Sequence, residues 1–164
     1  MSRLVVLLVC LVTVAPGALA DARKDCFEKS GDVAIRACTE AIQRNPSDPV
    51  SYVNRAFEYH QKGAFAPAIA DYTKALELDA TRADAYQGRA WAYLKLGKAA
   101  QGLGDVERSL QITPNYAQAL DTRGHIYEAL GRREDAIADF RRALALEPRL
   151  QGSREALQRL GFKP

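Results

Sequence analysis

A 34-residue period runs through most of the chain and restricts it to a repetitive architecture. Residues 49–82, 83–116 and 117–150 align without gaps, so equivalent positions recur 34 residues apart. The recurring side chains form four rows: Tyr59/Tyr93/Tyr127, Gly63/Gly97/Gly131, Arg55/Arg89/Arg123 and Asp71/Asp105/Asp139. Self-similarity at a period of about 34 residues is typical of solenoids built from stacked helix pairs.

Each 34-residue unit divides into two helices. Apolar residues at helical spacing lead up to the recurring glycine, and glycine just past a helix end is a common stop signal. A second apolar run follows the glycine, for example Ala136, Phe140 and Ala143, and Pro148 comes after it. Small residues at Ala56, Ala90 and Gly124, and at Ala68, Gly102 and Ala136, predict close approach between helices.

These residues resemble the tetratricopeptide repeat (TPR). The matching positions in the most regular unit are Leu120, Gly124, Tyr127, Ala136, Phe140, Ala143 and Pro148. The resemblance implies an all-α, right-handed superhelical solenoid of antiparallel helix pairs with a C-terminal capping helix. The predicted organisation is a signal peptide at 1–20, a degenerate first TPR-like unit at 21–48, repeats at 49–82, 83–116 and 117–150, and a capping helix and tail at 151–164.

The N-terminal segment predicts export. Arg3 precedes an apolar run over residues 4–15, and Ala18 and Ala20 supply the small residues that a signal peptidase reads. The apolar run is shorter than the roughly 20 residues that a membrane span needs. We therefore expect a signal peptide and an exported protein, and the style of the repeats resembles that of bacterial proteins of the periplasm or cell envelope.

Two cysteines remain beyond the predicted signal peptide. Cys26 and Cys38 lie twelve residues apart with the Ser30-Gly31 turn between them. An even number of cysteines in an exported chain favours a disulfide, here stapling the two helices of the degenerate unit. Two inert free thiols are the alternative, because neither a C-x-x-C motif nor a nearby histidine indicates redox chemistry or metal binding.

Composition and motifs argue against several functional classes. The 23 Lys and Arg and the 20 Asp and Glu are interspersed, unlike the clustered basic face that nucleic-acid binding requires. The two histidines, His60 and His125, lie in different units without metal-ligand spacing, and neither a phosphate-binding loop nor a nucleophile elbow is present. We expect no enzymatic activity, no metal, no cofactor, no nucleic-acid partner, no membrane span after signal cleavage, and a monomer.

The first helices of the units line a concave groove, as the TPR resemblance implies. The residues predicted to line it are Val53, Asn54, Phe57, His60, Gln87, Trp91, Lys95, Asp121 and His125. Among them, Phe57, Trp91 and His125 form an aromatic row at the 34-residue period, which suits an extended peptide or an inserted helix. The alternative is that these rings only pack against the neighbouring unit.

Two departures from the TPR pattern carry further predictions. Arginine replaces the usual leucine of the first helix at Arg55, Arg89 and Arg123, which indicates partly buried structural ion pairs with Asp71, Asp105 and Asp139, or else ligand contacts. The second helix of the middle unit contains Gly102 and Gly104. They reflect either drift at tolerant positions or a hinge in the superhelix.

The sequence as a whole predicts a protein–protein interaction scaffold that binds a peptide or protein segment in its groove. A self-associating structural module and a carrier of a small apolar ligand are the alternatives. TPR proteins that bind chaperone C-termini use a clamp of Lys and Asn residues, of which only Asn54 is matched, because Gly88 and Thr122 occupy the equivalent positions. That specificity is therefore not predicted.

Overall fold

A computed structural model describes residues 16–162, with side chains described from Ala22 onward. This part of the chain contains nine helices and no strand. The helices are α1 (Pro16–Glu28), α2 (Gly31–Arg44), α3 (Pro49–Gln61), α4 (Phe65–Leu78), α5 (Ala83–Lys95), α6 (Ala99–Ile112), α7 (Ala117–Ala129), α8 (Arg133–Leu146) and α9 (Gln151–Arg159). The predicted all-α fold is confirmed.

The helices form two layers. Each odd-numbered helix contacts the helix that follows it and also the next odd-numbered helix, whereas the even-numbered helices of the described residues do not contact one another. We call α1, α3, α5, α7 and α9 the inner helices and the others the outer helices. Because only the inner helices meet their equivalents in adjacent pairs, the stack curves around them and they line its concave face.

Recurring glycines end the inner helices. Gly63, Gly97 and Gly131 have φ angles of 73°, 72° and 75°, a left-handed conformation that other residues rarely adopt. The residue after each glycine turns back to donate a backbone hydrogen bond to the carbonyl of the recurring tyrosine. These bonds are 2.8–2.9 Å long, as in Lys98 N to Tyr93 O. The period of 34 residues therefore repeats a complete helix-turn-helix unit.

Close packing depends on glycines that face bulky neighbours. A Cβ atom on Gly124 would lie 2.6 Å from the ring of Phe140, and one on Gly102 would lie 2.7 Å from the backbone carbonyl oxygen of Ala90. Gly102 is therefore a constrained packing position, and the prediction that it is a tolerant or hinge position is wrong. Gly104 differs, because a Cβ there would meet nothing within 4 Å.

The first unit is held together by the predicted disulfide. Cys26 of α1 and Cys38 of α2 are joined, and both are buried. The helix α1 begins at Pro16, which stands at a position where proline is tolerated, so residues 16–20 of the predicted signal peptide are helical and Pro16 starts a helix. Residues 1–15, the remainder of the predicted signal peptide, lie outside the described residues.

A row of ion pairs joins inner and outer helices within each repeat. The guanidinium groups donate two hydrogen bonds to both carboxylate oxygens of their partners, at 2.7 and 2.8 Å in Arg55–Asp71, 2.7 Å twice in Arg89–Asp105, and 2.6 and 2.8 Å in Arg123–Asp139. Thr39 and Thr73 accept a third bond, of 3.0 Å, from Arg55 and Arg89. Since these arginines point between helices, they act as structural ties.

The C-terminal helix closes the stack. Ser153, Ala156 and Leu157 of α9 are buried against the preceding pair, whereas Arg154 and Glu155 are exposed. The helix ends as the other inner helices do, with Gly161 at a φ of 84°. The capping helix thus occupies the position of one more inner helix and presents a charged outer face. Within residues 16–162, no helix is long and apolar enough to cross a membrane.

Candidate functional site: the concave groove

Three inner helices converge on one cavity of the concave face. Side chains of α3, α5 and α7 enclose a volume of about 310 Å³. The helical period places residues one turn apart on the same face, so each helix contributes a short ladder of side chains. The lining residues are Phe57, His60, Gln61, Tyr72, Gln87, Gly88, Trp91, Gln118, Asp121 and Thr122. The walls of the cavity thus combine aromatic rings with amide and hydroxyl groups.

Aromatic rings form a continuous chain along the groove. The centroids of Phe57 and His60 are 6.5 Å apart, and His60 stacks on Trp91 at 6.3 Å with an interplanar angle of 18°. Trp91 meets His125 edge-on at 5.5 Å, and His125 meets Phe140 edge-on at 4.9 Å. Phe57 is 49% exposed, whereas Trp91 and His125 are half-buried. The aromatic row therefore serves as groove surface at one end and as packing at the other.

The environment of His60 is largely apolar. Its ring lies between Phe57, Phe65 and Trp91, and its Nδ1 atom is buried without a hydrogen-bond partner. Burial, with a smaller contribution from the positive charge of Lys95, lowers the pKa of His60 below its usual value. The Lys95 ammonium lies 4.5 Å from the centroid of the Trp91 ring, a cation–π contact that places a cation at the edge of the groove.

His125 is surrounded by opposing charges. Burial lowers its pKa, against the effect of Asp121 and Glu128, whose oxygens lie 3.8 and 3.7 Å from the imidazole nitrogens. Both carboxylates are held from α9. Ser153 donates a hydrogen bond of 2.6 Å to Asp121, and the bidentate bond from Arg159 lowers the pKa of Glu128. The capping helix thus fixes the acidic end of the groove.

The structure brings most of the predicted groove residues together. Phe57, His60, Gln87, Trp91 and Asp121 line the cavity itself. Lys95 and His125 lie next to it through their contacts with Trp91.

Two predicted residues lie elsewhere. Asn54 lines a different cavity, at the N-terminal end of the groove. Val53 is only 8% exposed and packs with Tyr52 and Ala56 in the hydrophobic core, so its assignment to the groove surface is wrong. The shared 34-residue row placed Val53 with Gln87 and Asp121, but this apolar side chain is buried while its polar equivalents remain accessible.

Sequence reasoning missed three lining residues, Gln61, Tyr72 and Gln118. Gln61 stands one helical turn after Phe57, so the helical period could have found it. Tyr72 belongs to an outer helix and reaches the groove because Gly88 has no side chain. A Cβ atom on Gly88 would lie 2.4 Å from Cζ of the Tyr72 ring. That signal lies in a pair of residues in adjacent units, which a comparison within one row does not reveal.

A second cavity lies at the N-terminal end of the groove, between α1 and α3. We call it the N-terminal pocket; its volume is about 520 Å³ and it is lined by Arg23, Lys24, Phe27, Val50, Ser51 and Asn54. Phe27 is the most exposed large apolar side chain of the described residues, at 74%. Arg23 approaches Asp48 at 3.4 Å, and Asp48 also accepts a hydrogen bond from the Ser51 hydroxyl.

Comparisons with known proteins agree with this architecture. The family described as "Tetratricopeptide repeat" matches residues 117–150, and the family described as "TPR repeat" matches residues 57–97. Among curated protein sequences there is no significant match.

Many solved structures resemble the chain. The Arabidopsis OM64 TPR domain is 30% identical over 68% of this chain and 93% of that domain, with a TM-score of 0.65. The first TPR of Spaghetti (RPAP3), solved with the HSP90 peptide SRMEEVD, is 27% identical over 69% of this chain and 90% of its own, with a TM-score of 0.65. MamA protein shares the fold at a TM-score of 0.72 and 20% identity, covering 91% of this chain and 86% of its own. The repeats, the helix pairs and the OM64 likeness together show that the chain belongs to the tetratricopeptide repeat family, whose domains are protein-interaction modules.

Proposed function

We propose that this protein is a non-enzymatic scaffold of the bacterial periplasm or cell envelope, and that it binds a peptide or protein segment in its concave groove. One observation carries the proposal: Phe57 and Trp91 stand in a cavity formed by three successive inner helices. An exposed aromatic side chain of this kind is a frequent anchor of protein–protein interfaces. A ligand that spans three helices is expected to be elongated.

The polar lining favours a peptide over a small apolar ligand. Asp121 and the amides of Gln61, Gln87 and Gln118 lie beside the rings. An extended peptide presents backbone N–H and C=O groups that such side chains can pair with, whereas a purely apolar molecule would leave them without partners. Two structural neighbours support the same mode, since two RPAP3 TPR domains were solved with the peptides SRMEEVD and SGPTIEEVD.

The experiment for groove binding is affinity capture from an envelope extract, followed by mapping of the bound segment. Trp91→Ala and Phe57→Ala should each remove most of the captured partners, because each deletes a ring from the cavity. Leu146→Ala is the matched control, since Leu146 is also exposed, at 43%, but stands on the outer helix α8. If both groove variants retain the full set of partners, the groove does not bind them.

The proposed location rests on the N-terminal sequence and the disulfide. Residues 1–20 have the three-part pattern of a signal peptide, and disulfides persist mainly in oxidising compartments. Mass spectrometry of protein recovered from the periplasmic fraction should give an N-terminus at Asp21. An intact Met1 in the cytoplasmic fraction, with free thiols at Cys26 and Cys38, would contradict export.

A further inference from the structure

The N-terminal pocket continues the aromatic row of the groove. Cys38 aligns with Phe140 after three periods of 34 residues, and Cys26 meets Cys38 as Gly124 meets Phe140. Phe27 follows Cys26 just as His125 follows Gly124. Phe27 thus takes the place that Phe57, Trp91 and His125 take in the later units, and exposure along the row is greatest at this N-terminal end.

Phe27 is exposed on a rigid support. The preceding residue, Cys26, is 3% exposed and is covalently tied to α2, which fixes the helix that carries the ring. Val50 on α3 forms the other apolar wall of the N-terminal pocket. Full burial of a phenylalanine side chain stabilises a complex by about 1.5–3 kcal/mol, so a pre-positioned ring of this kind favours a ligand that covers it.

The charges around the N-terminal pocket have one sign. Arg23 and Lys24 line it, and none of its lining residues is a carboxylate. Arg23 is partly neutralised by Asp48 at 3.4 Å. Lys24 has no ion pair or hydrogen bond among the described residues and remains available to a ligand.

We infer that the N-terminal pocket is a specificity subsite of the groove that receives a bulky apolar side chain of the bound peptide, with a carboxylate of a neighbouring peptide residue facing Lys24. The inference rests on the proposed peptide-binding function and gives the peptide a chemical class, an apolar residue next to an acidic one. The remainder of the peptide extends along the groove toward Trp91.

The test is selection of peptides followed by measured binding. Random twelve-residue peptides displayed on phage are selected on protein purified from cells that express the full 164-residue sequence. A consensus with Phe, Leu, Ile or Trp beside Asp or Glu is expected. A fluorescein-labelled peptide of that consensus should bind Phe27→Ser about tenfold more weakly than the unmodified protein, whereas Leu146→Ser, on the outer face, should bind it unchanged.

The charge contact has its own test in a double-mutant cycle. Replacing the acidic residue of the peptide by its amide should weaken binding to the unmodified protein several-fold and should have little further effect on Lys24→Glu. Equal losses on both proteins would show that Lys24 does not face that carboxylate, and would overturn the charge assignment.

The remaining outcomes separate this inference from the proposed function. Peptides whose binding is lost in Trp91→Ala but unchanged in Phe27→Ser would leave the groove in place and overturn the subsite. Failure to select any peptide would overturn both. A concentration-dependent dimer in light scattering that disappears in Phe27→Ser would show that a second copy covers the N-terminal pocket, which also overturns the subsite.

Discussion

Arg89 holds both carboxylate oxygens of Asp105, through two hydrogen bonds of 2.7 Å each. The pair is partly buried, with 18% of the arginine and 13% of the aspartate side chain exposed, and Thr73 takes a further guanidinium N–H. Because α5 and α6 each carry one member, the contact fixes one inner helix to its outer helix. Equivalent pairs in the adjacent units make it a regular feature of the fold.

Arg89→Ala should lower the free energy of unfolding by about 3 kcal/mol. The substitution leaves the Asp105 carboxylate in a partly buried site without its partner, which is the costly outcome for such a pair. Lys74→Ala is the matched control, because the Lys74–Glu77 pair is 46% and 59% exposed and should contribute about 0–1 kcal/mol. Urea denaturation followed by circular dichroism measures both, and equal small losses would show that the Arg–Asp row is not structural.

Gly102→Ala and Gly104→Ala should change stability in opposite directions, although both glycines lie within α6. A Cβ atom at residue 102 meets the carbonyl oxygen of Ala90 at 2.7 Å, which forces helices apart and should cost about 1–3 kcal/mol. A Cβ atom at residue 104 meets nothing within 4 Å, so the higher helix propensity of alanine should stabilise by about 0.8–1 kcal/mol. Thermal unfolding of the two variants decides the matter, and stabilisation by both would refute the close contact.

The sequence predicts the fold well because each unit repeats the same local code. Gly63, Gly97 and Gly131 mark the inner helix ends, and the small residue at position 102 falls in a row with Ala68 and Ala136. The groove is less predictable, since its shape depends on which residues meet across units. Tyr72 enters it only because Gly88 leaves space, and Val53 leaves it because an apolar side chain at that position packs into the core.

The disulfide should stabilise mainly the first helix pair. Closing a loop with a sequence separation of 12 between Cys26 and Cys38 is expected to contribute about 2–3 kcal/mol through restriction of the unfolded chain. Hydrogen exchange of the double variant Cys26→Ala/Cys38→Ala should show reduced protection in α1 and α2, with α7 and α8 little changed, because units of a solenoid contact only their neighbours. Reducing agent should reproduce this pattern in the unmodified protein and leave the variant unaffected.

Acidification should destabilise the protein before its carboxylates titrate. Burial lowers the pKa of His60 and of His125, so both remain neutral in the folded state at pH values where the unfolded chain has begun to protonate its histidines near 6.5. The unfolded state then binds more protons than the folded state, and the free energy of unfolding falls as the pH falls from 7.5 to 5. The stabilisation is complete above pH 6.5 and is lost through the folded-state pKa values.

His60→Phe separates the contribution of His60 from that of other groups. The substitution keeps a ring between Phe57 and Trp91 and removes the buried Nδ1 atom that lacks a partner, so stability at pH 7.5 should be unchanged or raised. The fall in stability between pH 7.5 and 5 should be smaller than in the unmodified protein. Trp91, the single tryptophan of the chain, stacks on His60 and reports the same event, because a protonated imidazole quenches indole fluorescence. A fluorescence midpoint at or above pH 6.5, or an unchanged slope in His60→Phe, would show that burial does not govern this histidine.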